Sequence, residues 1–115
     1  MEGAQTMVSG IYEVHFRSSI QDFGDGLVVV KDGAVNGGDA NFLYTGTFEA
    51  QDDKVTAVVS VDKWKSGNTS IVDIDHFKID FNGTITREAI QLSGAVQGET
   101  NLQIAVTGRR VGNAA

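Results

Sequence analysis

The amino-acid sequence predicts an all-β fold, an up-and-down antiparallel β-barrel of about eight strands. Apolar and polar residues alternate along most of the chain, which is typical of strands with one buried face and one face in water. Short polar turns that contain glycine separate these stretches, as in antiparallel β-proteins. The 115 residues include 14 glycines and no proline. Because proline cannot donate the backbone N–H that a strand ladder requires, this composition indicates continuous antiparallel pairing. A β-sandwich is the alternative.

The first half of the chain predicts four strands joined by short turns. Tyr12, Val14 and Phe16 share one face of the first strand. Asp32-Gly33 is a strong hairpin signal between a run of β-branched residues and its return strand. Gly46 lies within an alternating aromatic strand, where glycine usually marks a bend or a close approach of two backbones. The predicted strands cover residues 10–17, 27–30, 34–36 and 42–49.

The second half of the chain repeats this pattern. Asn82-Gly83 is the strongest type I′ turn signal in the sequence, and Gly98-Glu99 predicts a further turn. A short helix around residues 66–74 is an alternative for part of a polar loop. The predicted strands cover residues 54–64, 74–81, 84–96 and 100–110. With the first four they predict a lipocalin-like barrel in the calycin style.

Length and composition restrict the class of protein. We expect one β-barrel domain over residues 10–111, with a flexible tail over 1–9 and a short tail over 112–115. A net charge of -6 argues against nucleic acid and against an anionic membrane surface as partners. The absence of cysteine excludes disulfides, thiolate metal sites and a cysteine nucleophile. Because the first residues have neither a basic segment nor an apolar one, we expect a cytoplasmic protein.

Catalytic and metal-binding patterns have little support in the sequence. His15 and His76 fall on the polar side of their strands, which is typical of solvent-facing histidines. Asp73 and Asp75 would share a strand face, but His76 would point away from them. We therefore expect no cofactor, no metal and no enzymatic activity, with an enzyme of unknown class as a third-ranked alternative.

The inward-facing residues leave two interpretations open. They either fill the barrel or line a cavity for a small apolar ligand, which would make the protein a carrier or sensor. Gly46 and Gly94 would face inward without side chains and could leave a void. The predicted inward set is Tyr12, Val14, Phe16, Phe42, Tyr44, Phe48, Phe77, Ile79 and Phe81.

The order of motifs in the first half resembles one known family. Gly10-Ile11-Tyr12 opens the first strand, and the sequence GLVVVKDG follows at residues 26–33. Gly37-Gly38-Asp39 and Tyr44-x-Gly46 come next, before an acidic turn. In this order and spacing the chain resembles the GrlR-type negative regulators of type III secretion over roughly residues 10–59. These regulators are small cytoplasmic bacterial β-barrel proteins.

The resemblance implies an up-and-down barrel that forms homodimers and a non-enzymatic regulator that sequesters a transcriptional activator. In the family's founding regulator, the partner contact involves consecutive acidic residues on the turn that follows the Tyr-x-Gly strand. The matching residues here are Ala50, Gln51, Asp52 and Asp53, of which only the last two are acidic, and Glu49 precedes them. The predicted partner-binding residues are therefore Glu49, Gln51, Asp52 and Asp53. An acidic surface of this kind would attract a basic protein, such as the DNA-binding domain of a transcription factor.

Overall fold

Eight antiparallel strands form a closed barrel, each paired with its neighbours in chain order and β8 paired with β1. The computed structural model describes residues 9–18, 22–64, 76–86 and 88–115. The prediction of an up-and-down antiparallel barrel is confirmed, and the described residues contain no helix. The alternative helix around residues 66–74 lies outside the described residues. The strands are β1 (Gly10–Ser18), β2 (Asp22–Lys31), β3 (Ala34–Gly38), β4 (Phe42–Gln51), β5 (Lys54–Lys63), β6 (His76–Ile85), β7 (Ala89–Val96) and β8 (Glu99–Gly112).

The core fills the inside of the barrel with one face of every strand. Tyr12, Ile79 and Ile104 are each 1% exposed, and they come from three different strands. Of the nine residues that we expected to face inward, eight are buried, and Phe16 is partly buried against the same core. The period-two alternation therefore orients these strands, because a half-buried strand must direct alternate side chains to the apolar side.

Two of the short connections at the end of the barrel where β1 begins contain residues with positive φ. Asp32 and Gly33 both have positive φ, at 54° and 79°, as a type I′ hairpin requires. Asp52 has a φ of 59° at the first position of the β4–β5 turn. An aspartate tolerates this left-handed conformation better than most residues with a side chain.

The turn predicted at Asn82-Gly83 is wrong. Both residues lie inside β6, where Asn82 pairs with Thr56 of β5 and with Ser93 of β7. Glycine is needed at position 83 because a Cβ atom there would lie 1.9 Å from the carbonyl oxygen of Gln91. A close approach of two strands therefore explains this glycine.

The chain turns three residues later, between β6 and β7. The hydroxyl of Thr86 accepts hydrogen bonds from the backbone N–H of Glu88 at 3.3 Å and of Ala89 at 3.2 Å. Thr86 N–H also donates to the carbonyl of Ala89 at 2.8 Å. A threonine hydroxyl can stabilise a turn in this way without any glycine. Turn signals based on glycine-containing dipeptides therefore do not predict the β6–β7 turn.

Strand β2 begins earlier than the sequence predicts. It starts at Asp22, whereas the apolar run that predicts it starts at Leu27. Gly24 and Gly26 interrupt the pattern in its first half, and Gly24 has a φ of 98°. A shift in the pairing register with β1 accompanies this irregular segment.

Candidate functional site

The β4–β5 hairpin brings the four predicted partner-binding residues to one exposed end of the barrel. Gln51 pairs with Lys54, so Asp52 and Asp53 alone form the connection. Glu49, Gln51, Asp52 and Asp53 are all exposed. Phe48 is buried on the inner face, so the alternation places Glu49 on the outer face. The hairpin thus carries three carboxylates at or near its tip.

A cleft of about 730 Å³ lies beside this hairpin, at the end where β1 begins. Its acidic lining residues are Glu49 and Asp52 from the β4–β5 hairpin and Asp32 from the β2–β3 turn. Lys54 is a basic residue of the same lining. The candidate site, which we call the acidic cleft, therefore involves two turns of the barrel.

Sequence reasoning missed Asp32 as a part of this site. Asp32 and Asp52 are twenty residues apart in the chain, but both follow a strand that runs toward the same end. In an up-and-down barrel every second connection lies at the same end. The predicted topology therefore held the signal that could have joined the two turns.

Ser9 lines the cleft from the side of β1, and Arg110 holds it there. One guanidinium nitrogen of Arg110 donates to the carbonyl of Ser9 at 2.6 Å, and another donates to the side chain of Asn113 at 2.7 Å. The same guanidinium lies 6.0 Å from the ring centroid of Tyr12. Arg110 thus links both ends of the described chain to the mouth of the barrel.

The opposite end of the barrel is organised by Asp39. Its carboxylate accepts hydrogen bonds from the backbone N–H groups of Asn41 at 2.9 Å and Phe42 at 2.8 Å. The hydroxyl of Tyr44 donates to the other carboxylate oxygen, and the indole of Trp64 donates to the Asp39 carbonyl at 3.2 Å. Burial, and then the hydrogen bond and negative charge of Asp39, raise the pKa of Tyr44 well above its usual value.

The described strands enclose a small void inside the barrel. Its volume is about 50 Å³, whereas ordinary ligand pockets measure about 300–1,000 Å³. Of the nine predicted inward residues, six line this void: Val14, Phe16, Tyr44, Phe48, Ile79 and Phe81. Tyr12, Phe42 and Phe77 are buried elsewhere in the core.

Gly46 and Gly94 do not leave the space that their missing side chains suggested. A Cβ atom on Gly46 would lie 2.0 Å from the carbonyl oxygen of Val58, and one on Gly94 would lie 1.9 Å from that of Asp80. Neighbouring backbone already occupies both positions. These glycines allow strands to approach, as expected for Gly46 from its place in the strand.

Comparison with known proteins identifies the family. The family model described as "T3SS negative regulator, GrlR" matches residues 7–114 of this chain. The chain belongs to the GrlR family. The family resemblance noted from the motif order is therefore confirmed, and the match extends from the first half over all eight strands. GrlR-family proteins are negative regulators of type III secretion. No curated protein matches the chain.

The two histidines of this GrlR-family chain lie on the outside of the barrel and each contacts an aspartate on the neighbouring strand. His15 Nδ1 lies 2.6 Å from Asp25 Oδ1, and His76 Nδ1 lies 3.0 Å from Asp62 Oδ1. Within the ranges that the structure describes, no group of three or more histidine and carboxylate side chains could hold a metal ion. Those ranges also contain no helix that is long and apolar enough to cross a membrane.

An exposed apolar surface lies outside the barrel of this GrlR-family chain, across β2, β3 and β4. Leu27 is 53% exposed and Leu43 is 46% exposed, and both pair with Gly38, which lies between them. Trp64, 59% exposed, contacts the adjoining β3–β4 loop through its hydrogen bond to Asp39. We call Leu27, Leu43 and Trp64 the apolar row.

Proposed function

We propose that this GrlR-family chain is a non-enzymatic cytoplasmic regulator that binds and sequesters a transcriptional activator through its β4–β5 turn. The observation that carries the proposal is the position of Asp52 and Asp53 at the exposed tip of that hairpin. This turn matches the acidic turn of the family's founding regulator in its place after the Tyr-x-Gly strand.

Charge supports a basic partner for this turn. The chain carries a net charge of -6, and an acidic protein attracts a basic one from a distance and accelerates their encounter. A DNA-binding domain has a basic surface because it must neutralise phosphates. When the acidic turn occupies that surface, the activator cannot bind its promoter, and transcription of its target genes stops.

The turn of this chain has fewer acidic residues than the family's motif, but other residues add carboxylates to the acidic cleft. Ala50 and Gln51 are uncharged where the founding regulator has acidic residues. Glu49 and Asp32 supply two further carboxylates beside Asp52 in the same cleft. The lining of the cleft therefore carries three carboxylates and one ammonium group, that of Lys54, although its acidic residues are not consecutive in sequence.

Removing the turn charges tests the proposal. The Asp52→Asn plus Asp53→Asn variant keeps the shape of both side chains, and asparagine tolerates the positive φ at position 52 better than alanine does. With the activator of type III secretion genes from the same bacterium, we expect roughly tenfold weaker binding in calorimetry. A promoter reporter should regain its activity in cells that express this variant.

The matched control removes two negative charges away from the turn. Asp25→Asn plus Asp62→Asn changes the net charge by the same amount at side chains that are 61% and 43% exposed and lie nearer the opposite end of the barrel. This control should bind the activator as the parent does. Equal binding by the parent and the Asp52/Asp53 variant would refute the proposed contact, and equal loss in both variants would reduce it to an effect of net charge.

The barrel interior gives the alternative function, a carrier or sensor of small apolar ligands, less support. A void of about 50 Å³ has no room for a ligand of ordinary size unless the core rearranges.

The outside of the barrel supports a second feature of the proposal, a homodimer. Leu27 and Leu43 of the apolar row are exposed on neighbouring parts of the sheet, and such patches mark contact surfaces.

A further inference from the structure

Strand β4 extends beyond its neighbour β3 at the end that carries the acidic cleft. The last pair between the two strands is Ala34 with Thr47, and β4 continues to Gln51. On its other side β4 stays paired with β5 as far as Gln51 and Lys54. The tip of the β4–β5 hairpin therefore has one sheet edge that β3 does not cover.

The backbone of Ala50 points out of this uncovered edge. Phe48 N–H donates to the carbonyl of Gly33 at 2.9 Å, so the polar groups of Phe48 face the β2–β3 side. Backbone groups alternate in direction along an antiparallel strand, so Ala50 directs its N–H and C=O to the same side. The β2–β3 hairpin does not extend as far along the barrel as Ala50, and no described strand pairs with Ala50 on that side.

The other edge of the hairpin is covered. Lys54 pairs with Thr84 of β6, and Ile85 N–H donates to the carbonyl of Asp53 at 2.9 Å. The open edge at Ala50 is therefore confined to one side of the hairpin. It faces the acidic cleft, which Ala50, Gln51 and Ser9 help to line.

We propose that an extended, lysine- or arginine-rich segment of the partner adds to β4 as a strand in the acidic cleft. The segment would pair with the N–H and C=O of Ala50, and its basic side chains would face Asp32, Glu49 and Asp52. An open strand edge recognises an extended peptide through main-chain hydrogen bonds, and the neighbouring side chains set the specificity. The proposal rests on the function proposed above and adds the mode of binding.

Charge favours a basic segment over a second copy of this chain. If two copies paired through this edge, Glu49 and Asp52 of each would approach the same residues of the other. Like charges placed opposite each other across a strand pair destabilise it. A basic extended segment places opposite charges at the same positions.

The test uses the full chain and a synthetic octapeptide, blocked at both ends, in which lysine alternates with valine or threonine. We expect this peptide to bind to the chain and to slow hydrogen exchange of the Ala50 amide, which nuclear magnetic resonance measures. The same peptide with an N-methyl group on every residue has no main-chain N–H to donate from either edge, and it should bind about fivefold more weakly or worse. A helical lysine–alanine peptide of equal charge should also bind more weakly, and a glutamate version should not bind.

Ala50→Pro removes the N–H in question and leaves every charge in place. Because this N–H faces away from β5, the substitution breaks no ladder bond of the hairpin, and proline is tolerated at such edge positions. Ala50→Ser keeps the N–H and serves as the matched control. We expect Ala50→Pro to weaken lysine-peptide binding about fivefold, with Ala50→Ser close to the parent.

The outcomes separate this proposal from the proposed function. Weaker binding by Ala50→Pro and by the N-methylated peptide supports strand addition. If both bind as their controls do while Asp52→Asn plus Asp53→Asn weakens binding, strand addition is wrong and the acidic turn stands. If the helical peptide binds as tightly as the extended one, or if the chain dimerises through this edge, strand addition of a basic segment is also wrong. Should Ala50→Pro not fold, the N-methylated peptide decides the question with the parent protein.

Discussion

Tyr44 and Asp39 form a side-chain hydrogen bond at the end of the barrel opposite the acidic cleft. The Tyr44 ring is buried and packs on Phe16 with a centroid distance of 5.1 Å, while its hydroxyl donates to the Asp39 carboxylate. That carboxylate also accepts the N–H groups of Asn41 and Phe42 in the β3–β4 loop. One phenol therefore connects the core to the loop.

Removing this phenol should destabilise the barrel. Tyr44→Phe deletes a hydrogen bond to a charged group, and such bonds contribute about 1.5–3 kcal/mol to the free energy of unfolding. Urea unfolding at pH 7, followed through the single tryptophan, Trp64, measures the loss. An unchanged unfolding midpoint would show that the contact contributes nothing.

The same residue predicts how stability depends on alkaline pH. The pKa of Tyr44 is raised in the folded state because of burial first and then because of Asp39. Above the ordinary phenol pKa of about 10, the unfolded chain has lost this proton while the folded chain retains it. The free energy of unfolding should therefore fall as pH rises above that value. The difference in stability between the parent and Tyr44→Phe should shrink from pH 9 to pH 11, and a constant difference would contradict the raised pKa.

At the residue scale, the sequence predicted which side chains are exposed or buried better than it predicted which side chains contact each other. His15 and His76 were expected on the outer surface, and both lie there. The alternation of apolar and polar residues could not predict the contact between Asp39 and Tyr44, because this contact depends on the conformation of the β3–β4 loop. Alternation specifies which face a side chain takes, and loop geometry lies outside that rule.

At the scale of strands, glycines control how closely neighbours approach. A Cβ atom at Gly46, Gly83 or Gly94 would lie within about 2 Å of a backbone oxygen of the adjacent strand. A backbone atom cannot move aside as a flexible side chain can. Glycines at such positions allow a sheet to bend into a closed barrel.

Gly46→Ala should therefore destabilise the protein by about 2 kcal/mol or more, because the strands must separate locally to accept the methyl group. Gly112→Ala is the matched control, since its nearest neighbour would be the Ile11 side chain at 3.9 Å. We expect the control to stay within about 0.5 kcal/mol of the parent in urea unfolding. Equal effects of the two substitutions would contradict the close approach at Gly46.

These glycines also explain which strands the sequence could predict. Alternation predicts all eight strands, but the dipeptide Asn82-Gly83 also predicts a turn, although it lies within β6. Glycine serves both in turns that need positive φ and in strands that lie very close together. The local sequence is the same in both cases, and only the position of the neighbouring strand, here Gln91 of β7, distinguishes them.

At the scale of the whole molecule, the barrel topology assembles the candidate site. The turn at Asp52-Asp53 was predictable from the sequence because the hairpin is local. The predicted topology also places Asp32 at the same end. The extension of β4 beyond β3 beside these turns was not predictable. That extension is set by strand register around the closed barrel, which no single hairpin determines.

The outer face of the barrel also indicates a second association surface, distinct from the acidic cleft. The apolar row lies across the outer face of β2, β3 and β4, with Gly38 between Leu27 and Leu43. Both leucines project from this outer face, where another apolar surface can cover them. We expect this surface to form the homodimer of the proposed function, leaving the acidic hairpins free for the partner.

Leu27→Lys plus Leu43→Lys should raise the dimer dissociation constant roughly tenfold or more, because a charge would have to be buried at each position. Light scattering after size-exclusion chromatography over a range of concentrations measures this. Val58→Lys places the same charge at another exposed apolar residue, 39% exposed on β5, and should leave the dimer intact. If the double variant dimerises as the parent does, the dimer forms elsewhere. If the parent is a monomer throughout the range, the apolar row has another partner, and the acidic cleft must act from a single barrel.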